Sequence, residues 1–83
     1  MNKVLIKLYV PTIEEQYEIL IPINRRIYSV IELITKSVTE LSGGYYIATK
    51  NPLLYDKETA KAYDLNITVK DANIRNGTEV ILI

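Results

Sequence analysis

One segment of this chain has a spacing of apolar residues that is typical of an amphipathic α-helix. From Ile27 to Leu41, large aliphatic side chains recur at steps of three and four residues, which places them on one side of an α-helix. The members of this stripe are Ile27, Val30, Ile31, Ile34, Val38 and Leu41. Gly43 follows the stripe and can take the left-handed backbone that ends many helices. Because such a helix is apolar on one side, the rest of the chain must supply a surface that covers it.

In the segment before the helix, apolar residues recur at every second position, as they do in paired β-strands. Residues 3–10 are rich in branched apolar types that recur at every second position. Pro11 and Thr12 open a turn, and residues 16–21 resume the alternation until Pro22 removes a backbone donor. The residues expected to face the helix are Val4, Ile6, Leu8, Val10, Tyr17, Ile19 and Ile21. The pattern predicts an N-terminal hairpin.

The segment after the helix predicts shorter strands. Residues 45–49 form an expected third strand with Ile47 facing the helix, and Asn51-Pro52 separates it from a short apolar segment at 53–56. A polar turn then leads into residues 61–63, which are predicted to be extended.

The last part of the chain predicts a capped turn and a final strand. Thr68 is placed to cap one helical turn, with Asp71 three residues on in a capping-box-like position. Asn76-Gly77 supplies a tight turn. The residues that follow alternate as a strand, with Val80 and Leu82 facing the helix.

These elements predict a single α+β domain over residues 1–83. Two strands, a helix and several short strands fit a mixed sheet of four to five strands packed on one long helix. A chain of 83 residues has the size of one domain and can bury about two-thirds of its unfolded surface. The sequence contains no linker or internal repeat.

The composition excludes several chemistries. The chain has neither Cys nor His, so it cannot form a disulfide, a thiolate zinc site, or a catalytic Cys–His or Ser–His pair. Ten basic and ten acidic side chains cancel, so no long-range field favours binding to nucleic acid or to an anionic membrane. The apolar segments are far shorter than the roughly 20 residues of a membrane span. With no signal-peptide pattern at the start, we expect a cytoplasmic protein without membrane insertion.

Short motifs carry a resemblance to a known family. They are Ile27-x-x-Val30-x-x-x-Ile34 in the helix, Thr68-Val69-x-Asp71 before Ile74, and Asn76-Gly77-Thr78 leading to Val80-x-Leu82. In this order they resemble ubiquitin, and more closely the small bacterial ubiquitin-like proteins of the YukD/EsaB type, which are associated with type VII (WXG100) secretion. The resemblance covers nearly the whole chain and implies a ubiquitin-like β-grasp fold.

The resemblance also implies a function. It implies a non-enzymatic accessory protein in the cytoplasm that contacts other components of a secretion machine. The implied partner is a protein, such as a membrane protein or an ATPase of that machine, or a second copy of the chain. We expect no cofactor and no nucleic acid. The alternative is a ubiquitin-like carrier that is adenylated after processing or extension of its C-terminus, since conjugating members end in Gly-Gly and this sequence ends at Ile83.

The glycine pair and the acidic residues have simple structural interpretations. Gly43-Gly44 is expected to end the helix, because cleavage there would remove half of the sheet. Asp56, Glu58, Asp64 and Asp71 lack the spacing of a calcium loop. We interpret them as turn and cap residues and predict neither a metal site nor a catalytic residue.

The sheet face that points away from the helix is the candidate functional site. Alternation places Leu5, Tyr9, Tyr46, Ile81 and Ile83 on this face. Contiguous exposed apolar area commonly marks a contact with another molecule, and tyrosine joins an apolar ring to a polar hydroxyl group. The alternative is that loops of the chain itself cover part of the face. We predict that these residues contact a protein partner.

Overall fold

The computed structural model describes residues 2–83 as a sheet of four strands and one α-helix. The strands are β1 (Lys3–Val10), β2 (Glu15–Pro22), β3 (Leu54–Asp56) and β4 (Glu79–Leu82), the helix is α1 (Ile27–Leu41), and a 3-10 turn (Pro11–Ile13) joins β1 to β2. The strand order is β2-β1-β4-β3. The central strands β1 and β4 are parallel, and each pairs antiparallel with its outer neighbour. The expected α+β architecture is confirmed.

The structure corrects the number of strands and the length of the helix. The segment predicted at residues 61–63 contributes only a bridge between Tyr55 and Ala62, beside which the Tyr63 N–H donates to the Leu54 carbonyl at 2.9 Å. The described part of the chain therefore has four strands and no fifth one. The helix predicted as long has 15 residues and spans about 22 Å.

The apolar stripe of α1 packs against the sheet as predicted, except at its last member. All of the other stripe residues are buried. Leu41 is 59% exposed, so its predicted burial is wrong. It is the final residue of the helix and lies beside the edge of the sheet, where it borders Tyr17 and Tyr45. Because the β-branched members have modest helix propensity, burial of the stripe is what stabilises α1.

The start of α1 is held by a loop from the second half of the chain. The N–H groups of Ile27 and Tyr28 donate to the carbonyls of Ile67 and Leu65 at 2.9 and 3.1 Å. The guanidinium of Arg26, at the N-cap position, donates to another carbonyl of the same loop. The two backbone bonds satisfy amide groups that a helix leaves unpaired at its start, and the Arg26 bond adds a further link to the same loop.

The end of α1 turns the chain sharply. Gly43 and Gly44 have φ angles of 67° and 84°, and the Gly44 N–H donates to the Thr39 carbonyl at 2.8 Å. The hydroxyl of Ser42 then accepts the Tyr46 N–H at 2.9 Å. The predicted role of the glycine pair as a helix stop is confirmed, and the serine hydroxyl fixes the direction in which the chain continues.

Residues 45–49 do not form a strand, contrary to the sequence prediction. Tyr46 is 3% exposed and belongs to the core, whereas Tyr45 and Ile47 are 77% and 83% exposed. The segment does alternate, but in the opposite phase, because the turn after α1 directs Tyr46 inward. The place beside β4 is taken by β3, so residues 45–49 do not pair with β4.

The capped turn and the Asn-Gly turn are confirmed. The Asp71 N–H donates to Thr68 Oγ1 at 3.1 Å. Gly77 has a φ angle of 85°, and its N–H donates to the Leu5 carbonyl at 2.7 Å. The Asn76 side chain accepts the Leu5 N–H, also at 2.7 Å. Both bonds attach this turn to β1 and so bring β4 into its parallel position.

The core lies between α1 and the inner face of the sheet. Its predicted members on the strands are Ile6, Leu8, Val10, Ile21, Val80 and Leu82. Partly exposed residues that pack against it include Val4, Tyr17 and Ile19. Core members that the sequence analysis missed are Tyr46, Leu54, Val69 and Ile74. In residues 2–83 no helix has the length and apolarity that crossing a membrane requires.

Candidate protein-binding surface

The strand register maps the sheet face that points away from α1. In β1, Leu5, Lys7 and Tyr9 point to this outer face, because Ile6 and Leu8 between them are buried beneath the helix. Residues that lie opposite each other in neighbouring strands share a face. The pairing of β1 with β2 and β4 therefore identifies the other members of the outer face.

An apolar row crosses the outer face at Tyr9. The register pairs Tyr9 with Ile81, and Ile81 in turn with Tyr55. Leu53 and Ile83 form the next row, since the N–H of each donates to the carbonyl of the other at 2.8 and 3.1 Å. Ile83 is 51% exposed and the other residues are partly exposed. We call these residues the Ile81 patch.

A row of alternating charges borders the Ile81 patch. The register places Lys7 opposite both Glu18 and Glu79. Lys57 extends the row, with its Nζ 3.6 Å from Glu79 Oε2. These two side chains are 46% and 50% exposed, so the ion pair adds little to stability. Its main consequence is a polar border along one side of the patch.

A smaller apolar pair lies beyond this charged row. Leu5 is paired with Leu20, which is 61% exposed on the edge strand β2. The charged row separates this pair from the Ile81 patch. The outer face is thus two apolar areas divided by charges.

The alternation in the sequence predicts most of this surface but not its division into two apolar areas. Tyr9, Ile81 and Ile83 come together as predicted, whereas Leu5 shares their face without contacting them across the charged row. The predicted exposure of Tyr46 is wrong, because the side chain is 3% exposed within the core. That the remaining residues contact a partner stays a prediction.

Tyr55 and Leu53 are patch members that the sequence analysis did not assign. Both lie in the short apolar segment before the polar turn. Leu54, between them, is buried, so the segment does alternate with Leu54 inward. The alternation could have indicated that Leu53 and Tyr55 share a face. Three residues are too few, however, to decide which face that is before the pairing with β4 is known.

A polar concavity of about 370 Å³ lies at the other end of β3. Its lining includes Asp56, Glu58, Tyr63, Thr78 and Glu79. Asp56 Oδ1 accepts the Glu58 N–H at 2.8 Å, which confirms the interpretation of Asp56 as a turn residue. Within residues 2–83, no three His, Cys, Asp or Glu side chains converge on a point where they could hold a metal ion.

Tyr63 in this concavity predicts a specific loss of stability in alkali. Burial is the main reason that the pKa of Tyr63 is raised from 10.0 to about 12. The negative charge of Asp56 and a hydrogen bond to its side chain raise the pKa further in the same direction. The folded state therefore holds the phenol proton more tightly than the unfolded state, so the stabilisation is complete below pH 10 and is lost as the pH rises towards about 12. We expect wild type to lose more unfolding free energy over this range than Tyr63→Phe, as measured by urea denaturation. Equal losses in the two proteins would contradict this assignment.

Solved structures resemble the chain over its whole length, although no protein-family model and no curated protein sequence matches it. The ubiquitin-like domain of the Mycobacterium tuberculosis type VII secretion protein EccD1 is 14% identical with a TM-score of 0.78, covering 100% of this chain and 99% of the other. The EccD5 ubiquitin-like domain from Mycobacterium xenopi is 11% identical with a TM-score of 0.74, covering 100% and 94%.

The chain has the ubiquitin-like fold. The same fold is found in the UBL domain of Plasmodium falciparum Dsk2, which is 11% identical with a TM-score of 0.72 and covers 96% of this chain and 95% of the other. The resemblance expected from the sequence motifs is confirmed at the level of the fold. At such low identities the likeness concerns architecture, so function has to be argued from the outer face itself.

Proposed function

We propose that this chain is a non-catalytic, cytoplasmic protein-binding module that serves as an accessory of a bacterial type VII secretion system. The observation that carries the proposal is the Ile81 patch, an apolar row on the outer face whose members are exposed or partly exposed. Whole-length similarity to two ubiquitin-like domains of type VII secretion proteins supports the secretion context.

The composition of the patch suits a protein contact. Tyr9 and Tyr55 flank Ile81 in register, so two aromatic rings border one aliphatic side chain. Aromatic anchors of this kind contribute a large share of binding free energy at many interfaces. The charged row beside them can orient the partner, because complementary charges at the rim mainly favour one docking geometry.

The proposed partner is a protein component of the secretion machine, either a membrane protein or an ATPase. The alternative function, a carrier activated by adenylation, has no support among the comparisons. A homodimer through the same patch is a further outcome that the experiment below detects.

We expect the double variant Tyr9→Ser and Tyr55→Ser to lose its partner. The tagged protein is purified from its native cells, and the proteins recovered with it are identified by mass spectrometry. Once a partner is identified, the double variant should bind it about 30-fold more weakly, which corresponds to a loss of about 2 kcal/mol for the two aromatic rings together. Loss of a self-association seen by sedimentation would instead indicate a homodimer.

The matched control is Tyr28→Ser with Tyr45→Ser. These tyrosines are 49% and 77% exposed and lie in α1 and in the segment after it, away from the outer face. The control should bind as wild type does. Far-UV circular dichroism must show both variants folded, and undiminished binding by a folded Tyr9, Tyr55 variant would rule out the Ile81 patch as the binding site.

A further inference from the structure

The strand β2 forms an open edge of the sheet. It pairs with β1 on one side, and no strand lies on its other side in residues 2–83. An open edge displays backbone donors and acceptors that can pair with an added strand. This edge is distinct from the Ile81 patch, which lies on the face around β4.

The hydrogen bonds of β1 show which residues of β2 present free backbone groups. In β1, the N–H groups of Leu5 and Lys7 point towards the β4 side, where they donate to Asn76 and Thr78 at 2.7 and 2.9 Å. The residues between them must therefore pair with β2. Since Leu5 and Lys7 lie opposite Leu20 and Glu18, the backbone groups of these β2 residues, and of Gln16, point outward from the sheet.

Apolar side chains flank this open edge. Between β2 and α1 lies a groove of about 380 Å³ whose lining includes Ile19, Leu20 and Leu41. Leu41 is 59% exposed on the helix side of the groove, and Leu20 is 61% exposed and borders it from the outer face. An added strand could therefore bury aliphatic side chains against the helix side of the edge.

The edge is also acidic. Glu15 and Glu18 lie on β2, Glu40 lines the groove, and β2 itself contains no Lys or Arg. On the outer face Glu18 lies opposite Lys7 and ends the row of alternating charges, so a basic side chain on an added strand would continue the alternation. No cation of the described chain forms an ion pair with these carboxylates. A second copy of β2 would bring the same carboxylates against each other, and like charges on paired strands are destabilising. The charges thus favour a basic partner strand over self-association.

We propose that the open edge of β2 binds an extended segment of another protein in which Lys or Arg alternates with aliphatic residues. The partner backbone pairs with Gln16, Glu18 and Leu20, its basic side chains approach Glu18, and its aliphatic side chains enter the groove beside Leu41. Pro22 has no N–H and ends the row of donors, which limits the length of the added strand.

A synthetic peptide of alternating lysine and valine tests this proposal. Titrated into 15N-labelled protein, it should shift the amide signals of Gln16, Glu18 and Leu20, while a peptide of the same composition with its lysines and valines in separate blocks should bind more weakly. Glu18→Lys should weaken binding of the alternating peptide about tenfold. The same variant should gain affinity for an alternating glutamate and valine peptide.

The matched control is Glu58→Lys, which makes the same charge change at an exposed turn next to β3. It should bind the basic peptide within about twofold of wild type, as should Tyr55→Ser, because Tyr55 lies on β3, at the opposite edge of the sheet from β2. Shifts that spare β2 and the groove beside Leu41, equal binding of both lysine peptides, or equal weakening by Glu18→Lys and Glu58→Lys would overturn the proposal. A concentration-dependent β2-linked dimer without peptide would also overturn it.

Discussion

Replacing Tyr46 with alanine is expected to lower the free energy of unfolding by about 3 kcal/mol, the cost typical of removing a buried aromatic ring. Tyr46 is 3% exposed within the core, and the Ser42 hydroxyl holds its backbone N–H at 2.9 Å. The side chain therefore anchors the segment that follows α1. Since domains of this size are stable by roughly 5–15 kcal/mol, the loss should be plain in urea denaturation.

Tyr45→Ala is the matched control for this prediction. Tyr45 is the adjacent residue of the same type, but it is 77% exposed. Its removal should change the unfolding free energy by less than about 0.5 kcal/mol. Similar losses for the two variants, or a larger loss for Tyr45→Ala, would show that the phase of this segment is not the one described.

Replacing Ile34 with alanine is the second large effect that we expect. Ile34 is fully buried at the centre of the α1 stripe, so its truncation leaves a cavity between helix and sheet. The expected cost is about 3 kcal/mol or more. Ile34→Val removes a single methylene and should cost about 1 kcal/mol, which tests whether the loss scales with the volume removed.

Leu33→Ala provides the control on the same helix. Leu33 precedes Ile34 but is 41% exposed, and alanine has the higher helix propensity. We expect a loss below about 1 kcal/mol, measured in the same urea series. If Leu33→Ala destabilised the protein as much as Ile34→Ala, the helix would face the sheet with a different side.

The helix and the hairpin could be predicted because their patterns are long. The stripe from Ile27 to Val38 and the alternation in residues 3–10 each contain several apolar residues in phase. Patterns of this length determine the type of secondary structure even before tertiary packing is known. Turn chemistry was equally local: the Thr68 cap, the glycine pair and the Asn-Gly turn each depend on one or two residues.

The segment at residues 45–49 shows where local pattern fails. Tyr45, Tyr46 and Ile47 are all apolar enough to face inward, so the sequence leaves the phase open. The phase is set by two glycine φ angles and by the Ser42 hydroxyl, which are three-dimensional features. A shift by one residue exchanges the two sides of an extended segment, which is the error made for Tyr46.

The candidate site could be predicted only as a face. Alternation placed Tyr9 and Ile81 on the side away from the helix, but neither their neighbours nor the charged row could be assigned before the strand order was known. The parallel pairing of β1 with β4 brings Lys7 next to Glu79 and Tyr9 next to Ile81. That long-range register divides the face and adds Tyr55 to the patch.

Methyl NMR spectroscopy of the chain in complex with its recovered partner tests the binding surface most directly. With isoleucine and leucine methyl groups labelled, the signals of Ile81, Ile83 and Leu53 should shift or broaden on binding, while the signal of buried Ile34 should stay in place. Unchanged signals from the Ile81 patch in a saturated complex would show that the partner binds elsewhere.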